Sequence, residues 1–116
     1  MSIIHPDMMK DMMWAFVNIY KQQGKLPVWH LMGCETDCMV GNPGVIIVAD
    51  GLNKGYIEDT ETAFEALKNS VMLDERGQDI RKQYGFIPYD KMKESVANDM
   101  EYAIADGAVA LAAKKL

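Results

Sequence analysis

The sequence predicts an all-α protein, built of helical hairpins joined by long loops. Three observations carry that expectation. Apolar residues recur at three- and four-residue spacing in two long stretches, one beginning at Met9 and one at Val96. The apolar run Val45 to Ala49 continues through Leu52 and Asn53, past ordinary strand length. No other segment shows the alternation that a strand partner for it would need.

His5, Pro6 and Asp7 open the first helix. Proline is tolerated in a first turn, where its missing N–H has no partner to lose, and Asp7 suits the positive helix end. Met9, Met12, Met13, Phe16, Ile19 and Tyr20 mark its inner face, and Gly24 supplies a left-handed cap. Pro27 forces Leu26 towards an extended conformation, so the path from Lys25 to Leu31 is a loop or short strand.

Asn42, Pro43 and Gly44 are breakers. The run Val45 to Ala49 that follows is apolar on every side, and periodicity alone leaves it as a central strand or a buried helix. Length and the lack of a strand partner favour the helix, although Gly51 and Gly55 each weaken it by about 1 kcal/mol.

Asp59 or Thr60 caps the next helix, whose inner face is Phe64, Leu67 and Val71, with Ala63 and Ala66 permitting close approach. The charged stretch Asp74 to Lys82, with Gly77 inside it, reads as a short exposed helix or helical turn. The segment Tyr84, Gly85, Phe86, Ile87, Pro88 reads as a turn folding three bulky apolar groups onto a core. Asp90 or Ser95 starts the last helix. Its stripe of Val96, Met100, Ala103, Ile104, Gly107 and Leu111 is expected to pack inward. That helix runs to Leu116 without a stop signal and reads as cut in mid-pattern. There is no internal repeat or domain boundary, so residues 1–116 form a single segment.

A formal net charge of -5 argues against a surface that tracks nucleic-acid phosphates, which requires clustered Lys and Arg. No apolar run approaches the ~20 residues of a membrane helix, so no membrane partner is expected. The opening MSIIHPDMMKDMM lacks the basic and apolar regions of a secretory signal. Two cysteines make no disulfide framework. Ten methionines, most at helical spacing, read as gap-filling core, with an adaptable binding face as the alternative.

Polar chemistry concentrates between Leu26 and Asp50, beside the apolar run. Glu35 and Asp37 are one residue apart and diverge on either a strand or a helix, so they are not a ready-made acid and base pair. Each can instead bind a substrate hydroxyl or a cation, or cap a helix. Trp29 offers a flat face to a sugar ring, or else closes the core. His30, Cys34 and Cys38 would imitate a metal site on a continuous helix, but Pro27 and Gly33 disfavour that helix and a fourth ligand is missing. Cys38 is therefore expected as a small buried hydrophobe and His30 as a loop residue.

The runs LPVWHLMGCETDCMVG, VIIVADGLNKGY, AFEALKNSVMLDERG, QYGFIPYDKMKESV and MEYAIADG together resemble part of the catalytic domain of glycoside hydrolase family 92, the calcium-dependent exo-acting α-mannosidases. The pentad Glu35, Thr36, Asp37, Cys38, Met39 after Leu-Pro-Val-Trp is the most specific element, and several spaced motifs agree in order. The resemblance implies a partial (α/α)6 toroid and hydrolysis of terminal α-mannosides with inversion, α-1,2-linked in mannose-rich glycans. It implies calcium near the sugar, with the calcium ligands, acid and base outside these residues. Trp29, Glu35, Thr36 and Asp37 match a motif at the pocket wall and are the expected sugar-binding residues. Family members are usually secreted or periplasmic.

Three positions depart from the family pattern. Cys34 stands where Asn is frequent, Asn42, Pro43 and Gly44 where an aromatic-His-Ser run is frequent, and Gly107 where an Asp-Trp pair is usual. The first two bear on subsite preference and the third on packing of the last helix. The leading expectation is a segment of a mannoside-hydrolysing domain, about a quarter of the toroid and inactive alone. The alternative is a non-enzymatic helical module that binds carbohydrate or self-associates through exposed helix faces.

Overall fold

The computed structural model describes residues 2–116, which form five helices and one minimal hairpin. Helix α1 spans Pro6–Gln23 and ends at Gly24, whose φ of 81° and N–H to the Tyr20 carbonyl make the expected left-handed cap. Its buried residues are Met9, Met13 and Val17, with Phe16 and Tyr20 packed beside them. The inner stripe is thus turned towards Val17, and Met12 is on the surface.

The apolar run is helical, as α2 over Pro43–Asn53, with Pro43 in its first turn. Gly51, which weakens it by propensity, is where α1 approaches: a Cβ there would collide with the Met13 sulfur. Helix α3, Thr60–Met72, is capped by Asp59, whose carboxylate accepts the Thr62 N–H at 3.1 Å. Ala63, Ala66 and Leu67 are fully buried on it. Helix α4 is the short element Gln78–Tyr84, and α5 runs over Ser95–Lys115. No helix is long and apolar enough to cross a membrane.

Helix α2 is the central element, packed on α1, α3 and α5, while α3 also meets α5. The core combines Met9, Met13, Val17, Leu26, Val45, Val48, Leu52 and Leu67 with alanines that let the helices close up.

Several expectations are corrected. The path expected as loop or short strand contains β1 (His30–Leu31), and the unexpected element is β2 (Cys34–Glu35), which pairs antiparallel with it in the register His30 to Glu35 and Leu31 to Cys34. Of the Tyr84 to Pro88 turn only Ile87 enters the core, while Tyr84 and Phe86 stay exposed. The largest correction concerns α5. Its packed face is Asn98, Tyr102, Ala105 and Ala112, and the stripe Val96, Met100, Ile104, Leu111 points outward at 55–68% exposure. Gly107 lies on that outer face with nothing near its would-be Cβ, so it weakens no packing among the described residues. The physical reason is that small residues admit α5 close to α2, whereas Asn98 and Tyr102 are needed as hydrogen-bonding anchors beneath it.

Candidate functional site

The site is the segment from Lys25 to Asn42, which crosses the end of the bundle where α1 finishes and α2 begins. Ser70 of α3 fixes its start, accepting the Leu26 N–H at 2.8 Å and donating to the Ala66 carbonyl at 2.7 Å. Leu26, Pro27 and Val28 then lie buried. Gly44, read from sequence as a breaker, sits in the first turn of α2 so close to the Pro27 carbonyl that a Cβ would overlap it. The hairpin turns on Met32 and Gly33, with φ of 50° and 82°. Both central residues therefore have the left-handed sign that suits a two-residue hairpin.

Glu35 organises this segment. Its Oε1 accepts the backbone N–H groups of Trp29 at 2.9 Å, Thr36 at 3.0 Å and Asp37 at 3.0 Å. Its Oε2 accepts the Val28 N–H at 2.7 Å and lies 3.4 Å from His30 Nε2. The side chain is only 10% exposed. Burial alone raises a carboxyl pKa, but the N–H groups of Asp37, Trp29 and Val28, with the charge of His30, outweigh it and bring Glu35 down to about 2. Glu35 is an ionised acceptor that serves four main-chain donors, three of them on Oε1.

Thr36 closes the loop on the same residue, its hydroxyl donating to the Trp29 carbonyl at 2.7 Å. Asp37, at a φ of 51°, turns away from Glu35 as the spacing predicts. Its carboxylate receives Lys25 Nζ at 2.8 and 3.0 Å, and lies 3.7 Å from Arg76 Nε. Lys25 also donates to Glu75 at 2.6 Å. Burial lowers the Lys25 pKa, but Asp37 and Glu75 outweigh that and hold it above the ordinary value. Trp29, Glu35 and Thr36 are thus gathered at one point, while Asp37 joins a neighbouring ion cluster.

Arg76 was not distinguished in the sequence from its charged surroundings. Its guanidinium donates to the carbonyls of Met39 at 2.5 Å and Gly41 at 3.0 Å, and to Asn42 Oδ1 at 3.1 Å. Its own carbonyl accepts the hydroxyl of Tyr102, the largest fully buried side chain, at 2.7 Å. Asn98 Oδ1 accepts the Gly41 N–H at 3.2 Å. Helix α5 therefore grips both the site segment and the loop that carries Arg76. The one sequence cue was Gly77 directly after it, whose left-handed φ of 85° caps α4 and leaves Arg76 in the loop before that helix.

Trp29 is 46% exposed, at an apolar groove of about 370 Å³ lined by Phe16, Ile19, Val28, His30 and Ile47. Cys38 is exposed, not buried, because the left-handed backbone at Asp37 carries the chain out to the surface; Cys34 is exposed too, its thiol donating to the Leu31 carbonyl at 3.3 Å. Among the described residues no three His, Cys, Asp or Glu side chains converge to hold a metal, so His30, Cys34 and Cys38 do not assemble a site. Calcium, which takes six to eight oxygen ligands, does not fit this donor set either.

Comparison with known proteins gives this geometry a context. The family model for the glycosyl hydrolase family 92 catalytic domain matches residues 1–116. A solved α-mannosidase of family GH92, BT3965 from Bacteroides thetaiotaomicron, superposes with a TM-score of 0.85 at 34% identity over 92% of this chain. The same enzyme in complex with mannoimidazole superposes equally well, at 34% identity and a TM-score of 0.85. The chain spans 15% of that mannosidase's length. No curated protein sequence matches it.

Proposed function

The chain belongs to the glycosyl hydrolase family 92 catalytic domain, and from that premise we propose that it forms part of the mannose-binding wall of an enzyme that hydrolyses terminal α-mannosides. The observation that carries the reading is the family match over residues 1–116, together with the likeness to an α-mannosidase whose complex holds mannoimidazole. In this reading the preferred substrates are α-1,2-linked ends of mannose-rich glycans. The reaction inverts the anomeric centre, with one carboxylic acid on the leaving oxygen and one carboxylate on a water across the ring.

The acid and the base lie outside these 116 residues. A general acid needs a pKa near the working pH, and Glu35 at about 2 is ionised far above it. Asp37 is engaged by Lys25 and Arg76. Trp29 supplies a stacking face, Thr36 and Asp37 flank it, and Glu35 holds the three in place. Calcium belongs to the same reading, with its ligands in other segments.

A second reading is favoured by one observation. Val96, Met100, Ile104 and Leu111 form a contiguous exposed apolar stripe on α5, which suits self-association.

Two measurements test the leading reading. Titrating methyl α-mannoside into the Trp14→Phe protein should change Trp29 fluorescence saturably, and an unchanged signal refutes the wall. Assaying an aryl α-mannoside with calcium should give no turnover. Turnover that survives repurification and the double substitution Glu35→Gln with Asp37→Asn would refute the placement of the reacting groups.

A further inference from the structure

A second concavity is larger than the groove beside Trp29. It lies between α1 and the loop joining α2 to α3, and has a volume of about 620 Å³. Ligand sites commonly fall between ~300 and 1,000 Å³. Lys10, Trp14, Val17 and Lys21 follow one another at helical spacing and so share one stripe of α1. That stripe faces Tyr56 to Asp59.

Val17 and Ile57 are buried and form the floor. Trp14, midway along the stripe, is 70% exposed. Charged groups bridge the two walls on either side of it, Lys10 to Glu58 at 3.4 Å and Lys21 to Asp59 at 3.8 Å. Asp59 keeps one oxygen on the Thr62 N–H and turns the other towards Lys21. Tyr56 donates its hydroxyl to the Ser2 carbonyl at 3.2 Å, which fixes its ring at the groove wall.

We propose that this groove is a second glycan-binding site, separate from the Trp29 wall, which takes a short α-mannoside chain across Trp14 between the two charged pairs. A sugar presents an apolar C–H face suited to the exposed indole, and hydroxyls that accept from lysine and donate to carboxylate. The bridging pairs are solvent-exposed, so they are weak and exchange readily for such hydroxyls. A phosphate ligand would need an uncompensated cation, and both lysines face carboxylates. An apolar peptide would leave those four charges desolvated. The choice of a mannoside rests on the family reading above, whereas the groove itself does not.

The test uses the 116-residue chain labelled with 5-fluorotryptophan, whose two tryptophans give separate fluorine resonances assigned from Trp14→Phe and Trp29→Phe. Adding α-linked mannotriose should move the Trp14 resonance saturably, in the wild type and in Trp29→Phe alike. Lys21→Ala combined with Glu58→Ala should raise the half-saturation concentration about five- to tenfold, the weight of an ordinary hydrogen bond. An unmoved Trp14 resonance overturns the proposal, as does movement that ignores the double substitution. Movement of Trp29 alone removes this groove and leaves the wall standing; movement of Trp14 alone does the reverse.

Discussion

Replacing Glu35 by Gln tests whether this carboxylate is the clamp of the site segment. The wild-type oxygens accept four backbone N–H groups, from Val28, Trp29, Thr36 and Asp37. An amide has one acceptor oxygen, and its NH2 would face an N–H that has lost its partner. Hydrogen bonds to a charged group contribute about 1.5–3 kcal/mol each, so a loss of about 2–4 kcal/mol is expected near neutral pH. The pH dependence is sharper. A pKa brought from 4.5 to about 2 corresponds to about 3 kcal/mol of stability at about 1.4 kcal/mol per decade. Because the folded pKa is depressed, that stability is fully present above about pH 5 and is lost as pH falls through the folded value, most of it by pH 2. Urea unfolding of both proteins between pH 6 and 2 should show the gap between them closing by about 3 kcal/mol. A gap that stays constant across this range would refute the clamp, since the remaining carboxylates are shared and cancel.

Gly44→Ala should lower stability by about 1–3 kcal/mol in urea melts, because its Cβ overlaps a backbone carbonyl that only a shift of Pro27 can relieve. Gly107→Ala should do the opposite, adding about 1 kcal/mol, since open space surrounds the new methyl on a helix. Arg76→Lys should cost at least about 2 kcal/mol, because an ammonium cannot span the Met39 and Gly41 carbonyls and Asn42 together; a melting temperature equal to wild type would contradict this. If the α5 stripe self-associates, sedimentation should show mass rising with concentration, and Ile104→Glu with Leu111→Lys should abolish the rise; a clean monomer at high concentration removes that reading.

The parts of the fold that were legible in the sequence have strong local determinants. Helix α1 carries an apolar stripe and a glycine cap, α3 has an aspartate cap, and α2 carries the apolar run Val45 to Ala49. Helix α5 was legible as a helix but not in its facing. It has apolar residues on two opposite sides, so hydrophobicity could not choose between them, and the packed side contains Asn98 and Tyr102, which a hydrophobic criterion rejects. The hairpin was hidden because Met32 adopts a left-handed φ without the Asn or Gly that usually signals such a turn. Trp29, Glu35 and Thr36, which meet at one point, stood together in the family motif, whereas the pairing of Asp37 with Lys25 and Arg76 could not be read from it. Arg76 was not legible, because its role depends on a carbonyl held by Tyr102, 26 residues away in the chain.

The hydrogen bonds within the site segment also decide what it has left for a ligand. Glu35 Oε1 is filled by three main-chain N–H groups and Oε2 takes a fourth, while each oxygen of Asp37 receives Lys25, so most of their acceptor capacity is already spent inside the protein. The Thr36 hydroxyl donates to the Trp29 carbonyl but keeps its lone pairs, and it is exposed. The indole of Trp29 is half open at the groove. On the proposed reading, Trp29 would offer a stacking face and the Thr36 hydroxyl an acceptor, both carried on backbone that Glu35 orders. The near-burial of so polar a residue has its cause in those bonds: the Glu35 charge is compensated by four main-chain donors, which in turn fix the backbone that carries Trp29 and Thr36.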